Sequence, residues 1–206
     1  MLRPLLFALF IAGIAPGPTP DHATVSFRGA DTLGLFPRVE GSNLEGQHFA
    51  LPADFSAPLN VVFVAFKREQ QDDVDTWTPF LKSASATRPG LRTFELPVLG
   101  RGYRLMRPFI DGGMRRGIPD AAVRAATITL YIDKGAFREA LQIPDEDRIY
   151  VLLVDVQGRV HWRTDGRFDE RAGAELLRRI DEMSSPRGVG GCRLPLSSTA
   201  TGIGCS

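Results

Sequence analysis

The chain has 206 residues, of which 43% are hydrophobic and 24% are charged, and its formal net charge at pH 7 is +1. This composition is typical of one globular domain with extensions, and the near-zero net charge argues against nucleic acid as a partner. The chain has two cysteines, Cys192 and Cys205, both close to the C-terminus.

The beginning of the chain favours an export signal. Arg3 precedes an apolar run from Leu5 to Ala15. That run is shorter than the about 20 residues that a membrane-spanning helix needs. We therefore expect residues 1–20 to be a signal peptide, with a short membrane anchor as the alternative. The protein would then be periplasmic or extracellular, or attached to a membrane by this segment.

The folded domain is expected over residues 46–184. Residues 21–45 are polar and irregular, which predicts a linker or an arm on the surface. A first strand, residues 47–51, alternates apolar and polar side chains. The second strand, residues 60–66, is apolar on both faces, as expected for a strand that is covered on both sides.

A helix is predicted from about Gln71. Its apolar side chains recur at helical spacing, at Val74, Trp77, Leu81 and Ala84. Pro79 lies inside this helix and should kink it, because proline lacks the amide hydrogen and clashes with the preceding turn. A third strand over residues 91–99 follows, and Pro108 with a Gly-Gly pair limits residues 100–117 to a short or broken helix.

The last third of the domain predicts a strand at 125–132, a short helix at 134–141, a hairpin and a final helix. The hairpin begins with the apolar run Ile149–Asp155 and returns through a strand that contains Trp162. The final helix spans about 169–183. Residues 185–206 show no periodicity, which predicts a disordered tail.

Strands that alternate with helices indicate parallel pairing, whereas the hairpin must be antiparallel. The predicted fold class is therefore α/β: a three-layer sandwich with a mixed central sheet, helices on both faces, and a C-terminal hairpin followed by a helix.

This order, over about residues 43–183, resembles the thioredoxin-like fold with peroxiredoxin-like additions. Phe63–Phe66 matches the strand that leads to the Cys-x-x-Cys of that fold, and Pro79 matches the kinking proline. Counted back from Pro79, the two cysteine positions fall on Gln71 and Val74. Counted back from the turn glycine of the hairpin, the position of the cis-proline falls on Tyr150. The resemblance implies a scaffold that lacks its redox chemistry.

A narrower resemblance concerns residues 153–170, which are similar to the mitochondrial ATP synthase assembly protein family. The matching residues are Asp155, Arg159, Val160, Trp162, Gly166 and Glu170. His161 stands where that family has arginine. The resemblance implies a non-enzymatic, membrane-associated assembly factor or chaperone. From the residues alone, Asp155 is expected to form the hairpin turn and Trp162 to lie in the core.

Residues 101–116 interleave arginine with aromatic residues and methionine, a composition that is enriched in protein interfaces. The alternative is a helix whose apolar side is buried and whose arginines lie in water. We also expect partner contacts near Lys67, beside the position of the degenerate redox site, and at His161 on the outward face of the hairpin. The candidate partner-binding residues are Lys67, Arg68, Arg101, Tyr103, Arg104, Arg107, Phe109, Arg115, Arg116 and His161.

No motif in the sequence predicts a metal site or a cofactor, since the histidines are scattered and no glycine-rich phosphate loop is present. The sequence therefore predicts an exported, redox-inactive protein that binds a protein client as an assembly factor or chaperone-like accessory. The family resemblance makes a membrane-embedded client the expectation. The alternative is a thiol-disulfide oxidoreductase or peroxiredoxin-like enzyme that uses Cys192 and Cys205, which could also form a tail disulfide.

Overall fold

The computed structural model describes residues 33–184. The expected export signal or anchor, the expected disordered tail and both cysteines lie outside the described residues. Among residues 33–184, no helix combines the length and the hydrophobicity that crossing a bilayer requires.

One open mixed sheet forms the middle of the described domain. Its strands lie in the order β2-β1-β5-β4-β3-β6-β7. The strands are β1 Val39–Asn43, β2 His48–Leu51, β3 Leu59–Ala65, β4 Leu91–Gly100, β5 Ile128–Ile132, β6 Tyr150–Asp155 and β7 Val160–Asp165. β3, β4 and β5 are parallel, whereas β6 pairs antiparallel with both β3 and β7.

The helices of the described domain lie between and after these strands. They are α1 Gln71–Thr87, α2 Arg107–Gly117, α3 Ala121–Ala126, α4 Lys134–Ala140 and α5 Glu170–Ser184. Two short 3-10 helices precede α1 and α2, at Arg68–Gln70 and Arg101–Met106. Pro79 lies inside α1, as predicted.

Two hydrophobic cores, one on each face of the sheet, explain the arrangement. On one face, Trp77 of α1 and Leu176 of α5 pack against the odd-numbered residues of β3. On the other face, Phe137 of α4 packs against the even-numbered residues of β3. Every residue of β3 and β6 is buried. The prediction of an α/β sandwich with helices on both faces and a closing hairpin and helix is confirmed.

β1 lies inside the segment that the sequence predicted as a linker or arm. Its residues, V-E-G-S-N, have no apolar alternation, and polar bonds hold it instead: the Asn43 amide donates to the carbonyl of Ala125 at 3.0 Å. At Gly41 an added Cβ would lie 2.6 Å from the Leu130 side chain, so only glycine fits there. The prediction that residues 21–45 are a linker is therefore wrong for residues 39–43.

The strand predicted at residues 125–132 is shorter than expected. It begins at Ile128, because Ala121–Ala126 forms the helix α3. The Asp120 carboxylate accepts a hydrogen bond from the backbone amide of Ala122 and caps this helix. The helix predicted at 134–141 and the hairpin agree with α4, β6 and β7 to within one or two residues.

Candidate functional site

The carboxyl ends of the parallel strands β3, β4 and β5 meet at one edge of the sheet, which we call the C-terminal edge. The connection from β3 to α1 lies there, and so does the 3-10 helix Arg101–Met106 after β4. The antiparallel β6 begins at the same edge, since Tyr150 pairs with Val64. In the family that the sequence resembles, the redox site lies between the strand equivalent to β3 and the helix equivalent to α1.

At this edge the side chain of Gln70 joins two loops. It is 5% exposed. Its Oε1 accepts from the backbone amides of Phe66 at 2.8 Å and Lys67 at 3.1 Å, and its Nε2 donates to the carbonyl of Glu146 at 2.8 Å. The connection between β3 and α1 is thereby tied to the loop that precedes β6. Sequence reasoning missed Gln70, because a glutamine within a run of polar residues carries no sign of burial.

Ion pairs on the surface also join the connection between β3 and α1 to the loop that precedes β6. Lys67 Nζ lies 2.7 Å from the Asp147 carboxylate, and Lys134 pairs with Glu146. The hydrogen bond with Asp147 raises the pKa of Lys67 above its usual value. Lys134 Nζ also lies 5.8 Å from the centre of the Phe66 ring, a cation-π distance. The loops at this edge are thus held together by polar contacts, where a redox protein of this fold would carry its dithiol.

The three degenerate redox positions do not come together. Gln71 is exposed at the first residue of α1, and its amide donates to Asp75 at 3.1 Å. Val74 is buried in the core beneath α1 and α5. Tyr150 is buried in the core on the opposite face, where its hydroxyl donates to Asp145 at 3.0 Å. Burial, and then this bond to Asp145, raises the pKa of Tyr150 to about 12.

A carboxyl group lies near the beginning of α1. Glu95 of β4 is half-buried, and burial raises its pKa to about 7. The Gln71 amide opposes this rise, and the Asp75 carboxylate adds to it. Glu95 can therefore take up or release a proton near neutral pH. It was not among the predicted site residues, although a glutamate between Phe94 and Leu96 in a strand is a detectable signal.

The segment of arginine and aromatic residues lies on the outside of the domain. None of the residues from Arg101 to Gly117 is buried. The apolar side chains there are largely in water: the exposed fractions are 91% for Leu105, 75% for Phe109, 58% for Tyr103 and 50% for Met106. The alternative prediction, an apolar side that is buried, is therefore wrong.

The arginines of this segment differ in their partners. Arg107 Nε donates to Asp111 at 3.1 Å, and its guanidinium lies 5.7 Å from the centre of the Tyr131 ring. Arg115 Nε donates to the carbonyl of Leu44 at 2.6 Å. The side chains of Arg101, Arg104 and Arg116 have no hydrogen-bond or ion-pair partner among residues 33–184.

Arg101 and Arg104 line an open cavity of about 500 Å³. A third arginine, Arg38, lines it from the approach to β1, and Tyr131 and Phe137 contribute apolar surface. Glu40 and Asp133 also line the cavity.

His161 belongs to a different part of the molecule. Its Nε2 lies 2.8 Å from the Asp155 carboxylate, which also accepts from Arg159 Nε at 2.8 Å. Asp155 pairs with Leu59 at the beginning of β3, so this cluster lies at the edge opposite the C-terminal edge. Burial alone would raise the pKa of Asp155, but the bonds from His161 and Arg159 outweigh burial and lower it. His161 therefore supports the hairpin and lies far from the other candidate residues.

The residues that carry the narrower resemblance have structural roles in this domain. Val160 and Trp162 are buried, as the sequence predicted for Trp162. Asp155 accepts from the backbone amides of Gln157 and Arg159, both at 2.9 Å, which is the turn role expected of it. The carbonyl of Gly166 accepts from Trp77 Nε1 at 3.1 Å.

Solved structures of known proteins share this arrangement. A thiol:disulfide interchange protein from Bacteroides sp. matches with a TM-score of 0.50 at 18% identity, over 79% of this chain and 95% of that one. BsSco, a member of the Sco family of cytochrome c oxidase assembly proteins, matches with a TM-score of 0.53 at 11% identity, over 74% of this chain and 95% of that one. The chain has a thioredoxin-like fold.

Identities this low establish the fold and leave the activity open. No protein-family model and no curated protein matches the chain. The resemblance of residues 153–170 to the ATP synthase assembly protein family therefore stays a prediction. Residues 33–184 also contain no group of three or more His, Cys, Asp or Glu side chains arranged to hold a metal ion.

Proposed function

We propose that this protein is an exported, redox-inactive member of the thioredoxin-like fold that binds a membrane-associated protein client. Its role would be that of an assembly factor or chaperone-like accessory. One observation carries the proposal: residues 33–184 contain no cysteine, and Gln70 and the ion pairs around it close the connection between β3 and α1, where the redox proteins of this fold carry their dithiol.

The client-binding face would be the exposed part of the C-terminal edge. Arg68 is exposed there, and its side chain has no hydrogen-bond or ion-pair partner among residues 33–184. Together with Arg101 and Arg104 after β4, whose side chains are also unpaired, it offers positive charge to an acidic surface of the client.

The second candidate is a thiol-disulfide oxidoreductase or peroxiredoxin-like enzyme that uses Cys192 and Cys205. Glu95 favours it, because a carboxylate that titrates near neutral pH can take the proton of a thiol as the thiolate forms. The thiolate would attack a substrate disulfide, and the second cysteine would resolve the mixed disulfide.

An insulin-reduction assay with dithiothreitol separates the two candidates. The wild-type chain and a Cys192→Ser/Cys205→Ser variant are compared with dithiothreitol alone. We expect both proteins to leave the rate unchanged. A rate enhancement by the wild type that the double variant loses would establish the enzyme instead.

Photo-crosslinking tests client binding. A photoreactive phenylalanine analogue is placed at Arg68, or at Arg92 as the control. Arg92 is also exposed but lies near the beginning of β4, at the other end of the sheet. After irradiation with the native membrane fraction, we expect protein adducts from position 68 and none from position 92. The absence of any protein adduct at position 68 would contradict the proposal.

A further inference from the structure

We propose that the 3-10 helix Arg101–Met106 and the first turn of α2 form a docking surface for an anionic phospholipid bilayer. The apolar side chains would enter the headgroup region, and the arginine-lined cavity would receive a headgroup phosphate. This surface goes beyond the proposed function, since lipid binding needs no client.

The periodicity of the 3-10 helix separates the two kinds of side chain. With three residues per turn, side chains at positions i and i+3 eclipse one another. Arg101 and Arg104 therefore share one face, which is the face that lines the cavity. Tyr103 and Met106 share a second face and Leu105 lies on the third. The helix thus presents charge to the cavity and apolar groups away from it.

Two apolar side chains of this surface, Leu105 and Phe109, lie mostly in water. Leu105 and Phe109 are 91% and 75% exposed, the two highest values among the exposed large hydrophobic side chains of residues 33–184. They fall within the short stretch of residues 103–109. A protruding apolar ridge flanked by arginine is the pattern of segments that lie in a membrane interface. Docking would bury this ridge away from water, and that burial would supply favourable free energy of binding.

The charges of the segment suit an anionic lipid surface. Asp111 is the one acidic residue between Arg101 and Gly117. Its carboxylate already accepts from Arg107 and from the Tyr131 hydroxyl, the latter at 2.8 Å. Arg101, Arg104 and Arg116 thus keep their positive charges unpaired within the described domain. Each arginine near an anionic bilayer strengthens binding severalfold.

The cavity offers a place for one phosphate. Arginine binds phosphate in a planar, bidentate manner, and three arginines line the cavity. Two acids also line the cavity, Glu40 and Asp133, and Asp133 Oδ1 accepts from the amide of Ala136 at 3.2 Å. The three positive charges of Arg38, Arg101 and Arg104 therefore exceed the two negative charges that face them.

Vesicle flotation of the full-length chain tests the surface. The probes are mixed vesicles of phosphatidylcholine and phosphatidylglycerol, and vesicles of phosphatidylcholine alone. We expect binding to the mixed vesicles to be about tenfold tighter, and to weaken as salt is added, because the charge term is screened. Glycerol phosphate in solution serves as a competitor for the cavity alone.

Two double variants separate the charge from the apolar ridge. Arg101→Gln/Arg104→Gln should lower binding to the mixed vesicles by about tenfold. Leu105→Ser/Phe109→Ser should lower it by at least about tenfold on both kinds of vesicle. The matched controls are Arg92→Gln and Leu35→Ser, since Leu35 is 64% exposed and bridges Arg159 beside the hairpin turn. Every variant keeps residues 1–20, so any lipid binding by that segment is the same in all of them.

Unchanged binding of both double variants would overturn the proposal, and so would equal losses in the controls. Glycerol phosphate that binds the protein while vesicles do not would assign the cavity to a free phosphate compound and overturn the lipid surface. Client adducts from position 68 in detergent, without vesicle binding, would overturn this inference and leave the proposed function intact.

Discussion

The C-terminal edge of the sheet has two halves that differ in how far their side chains are exposed to water. Between β3, α1 and β6, the buried amide of Gln70 and the ion pairs around it close the loops against one another. After β4, the side chains of Arg101 and Arg104 are unpaired and those of Leu105 and Phe109 are exposed. The first half stabilises the domain, whereas the second contributes little to its stability.

The difference suggests that the half around Gln70 stabilises the fold and that the exposed side chains contact a partner. In redox proteins of the thioredoxin-like fold, the connection between the strand and helix equivalent to β3 and α1 carries the reactive groups. In this domain Gln70 and the ion pairs around it hold that connection together. Exposed apolar side chains that the fold does not use point to a partner. Under the proposed function, the working surface is the exposed part of this edge, which includes Arg68 and the residues after β4.

The largest effect is expected at Gln70. Gln70→Ala leaves two backbone amides and one carbonyl of the closed half without partners, and should lower the free energy of unfolding by about 3 kcal/mol. Chemical denaturation followed by circular dichroism measures this. The matched control is Gln71→Ala, whose exposed amide bonds to Asp75 and also interacts with Glu95, and its effect should stay below about 1 kcal/mol. Equal effects of the two variants would show that Gln70 does not close the edge.

A smaller, stabilising effect is expected at Glu95. Its pKa is raised in the folded state to about 7 from a usual 4.5, so between these values the folded protein binds a proton that the unfolded chain releases. The free energy of unfolding therefore falls as the pH rises from about 4.5 to about 7. Glu95→Gln should remove this loss and stabilise the protein at pH 8 by about 2 kcal/mol.

Denaturation of this variant from pH 5 to pH 8 is compared with that of Glu139→Gln, a change of the same charge at an exposed position of α4. Glu139→Gln should leave the slope with pH unchanged. If Glu95→Gln keeps the wild-type slope, Glu95 is ionised throughout this range and burial does not raise its pKa.

The smallest effect on stability is expected at Leu105 and Phe109, the most exposed of the large apolar side chains of residues 33–184. Leu105→Ser/Phe109→Ser removes apolar groups that are already in water, so the free energy of unfolding should change by less than about 0.5 kcal/mol. Leu81→Ala in α1, where Leu81 is 4% exposed, should instead cost about 2–5 kcal/mol in the same measurement. A large loss of stability in the double serine variant would show that these side chains belong to the core.

The parts of the fold that follow from the sequence are those in which one residue pattern decides the outcome. The runs of apolar residues in β3 and β6 predict strands covered on both faces, and the stripe from Val74 to Ala84 predicts the buried face of α1. β1 does not follow, because a strand held by Asn43 and a close-fitting Gly41 has no apolar pattern. Gln70 does not follow either, since its burial depends on a loop 76 residues further along the chain.

The candidate site can be predicted from the sequence only in part. The composition of residues 101–116 indicates an interface, and the structure leaves those side chains exposed. The spacing from Pro79 places Gln71 at the beginning of α1, but spacing alone does not reveal that Val74 and Tyr150 lie in cores on opposite faces of the sheet. The sequence groups His161 with the other candidates by its charge, whereas in the structure His161 bonds to Asp155 and supports the hairpin.

Photo-crosslinking in a cysteine-free chain tests the central claim most directly. The photoreactive residue replaces Arg68, first in the wild-type chain and then together with Cys192→Ser and Cys205→Ser, and both proteins are irradiated with the native membrane fraction. If the domain binds its client without exchanging thiols, the same protein adducts form with the same yield in both. Adducts that disappear when the two cysteines are removed would contradict the account and favour a thiol-disulfide oxidoreductase.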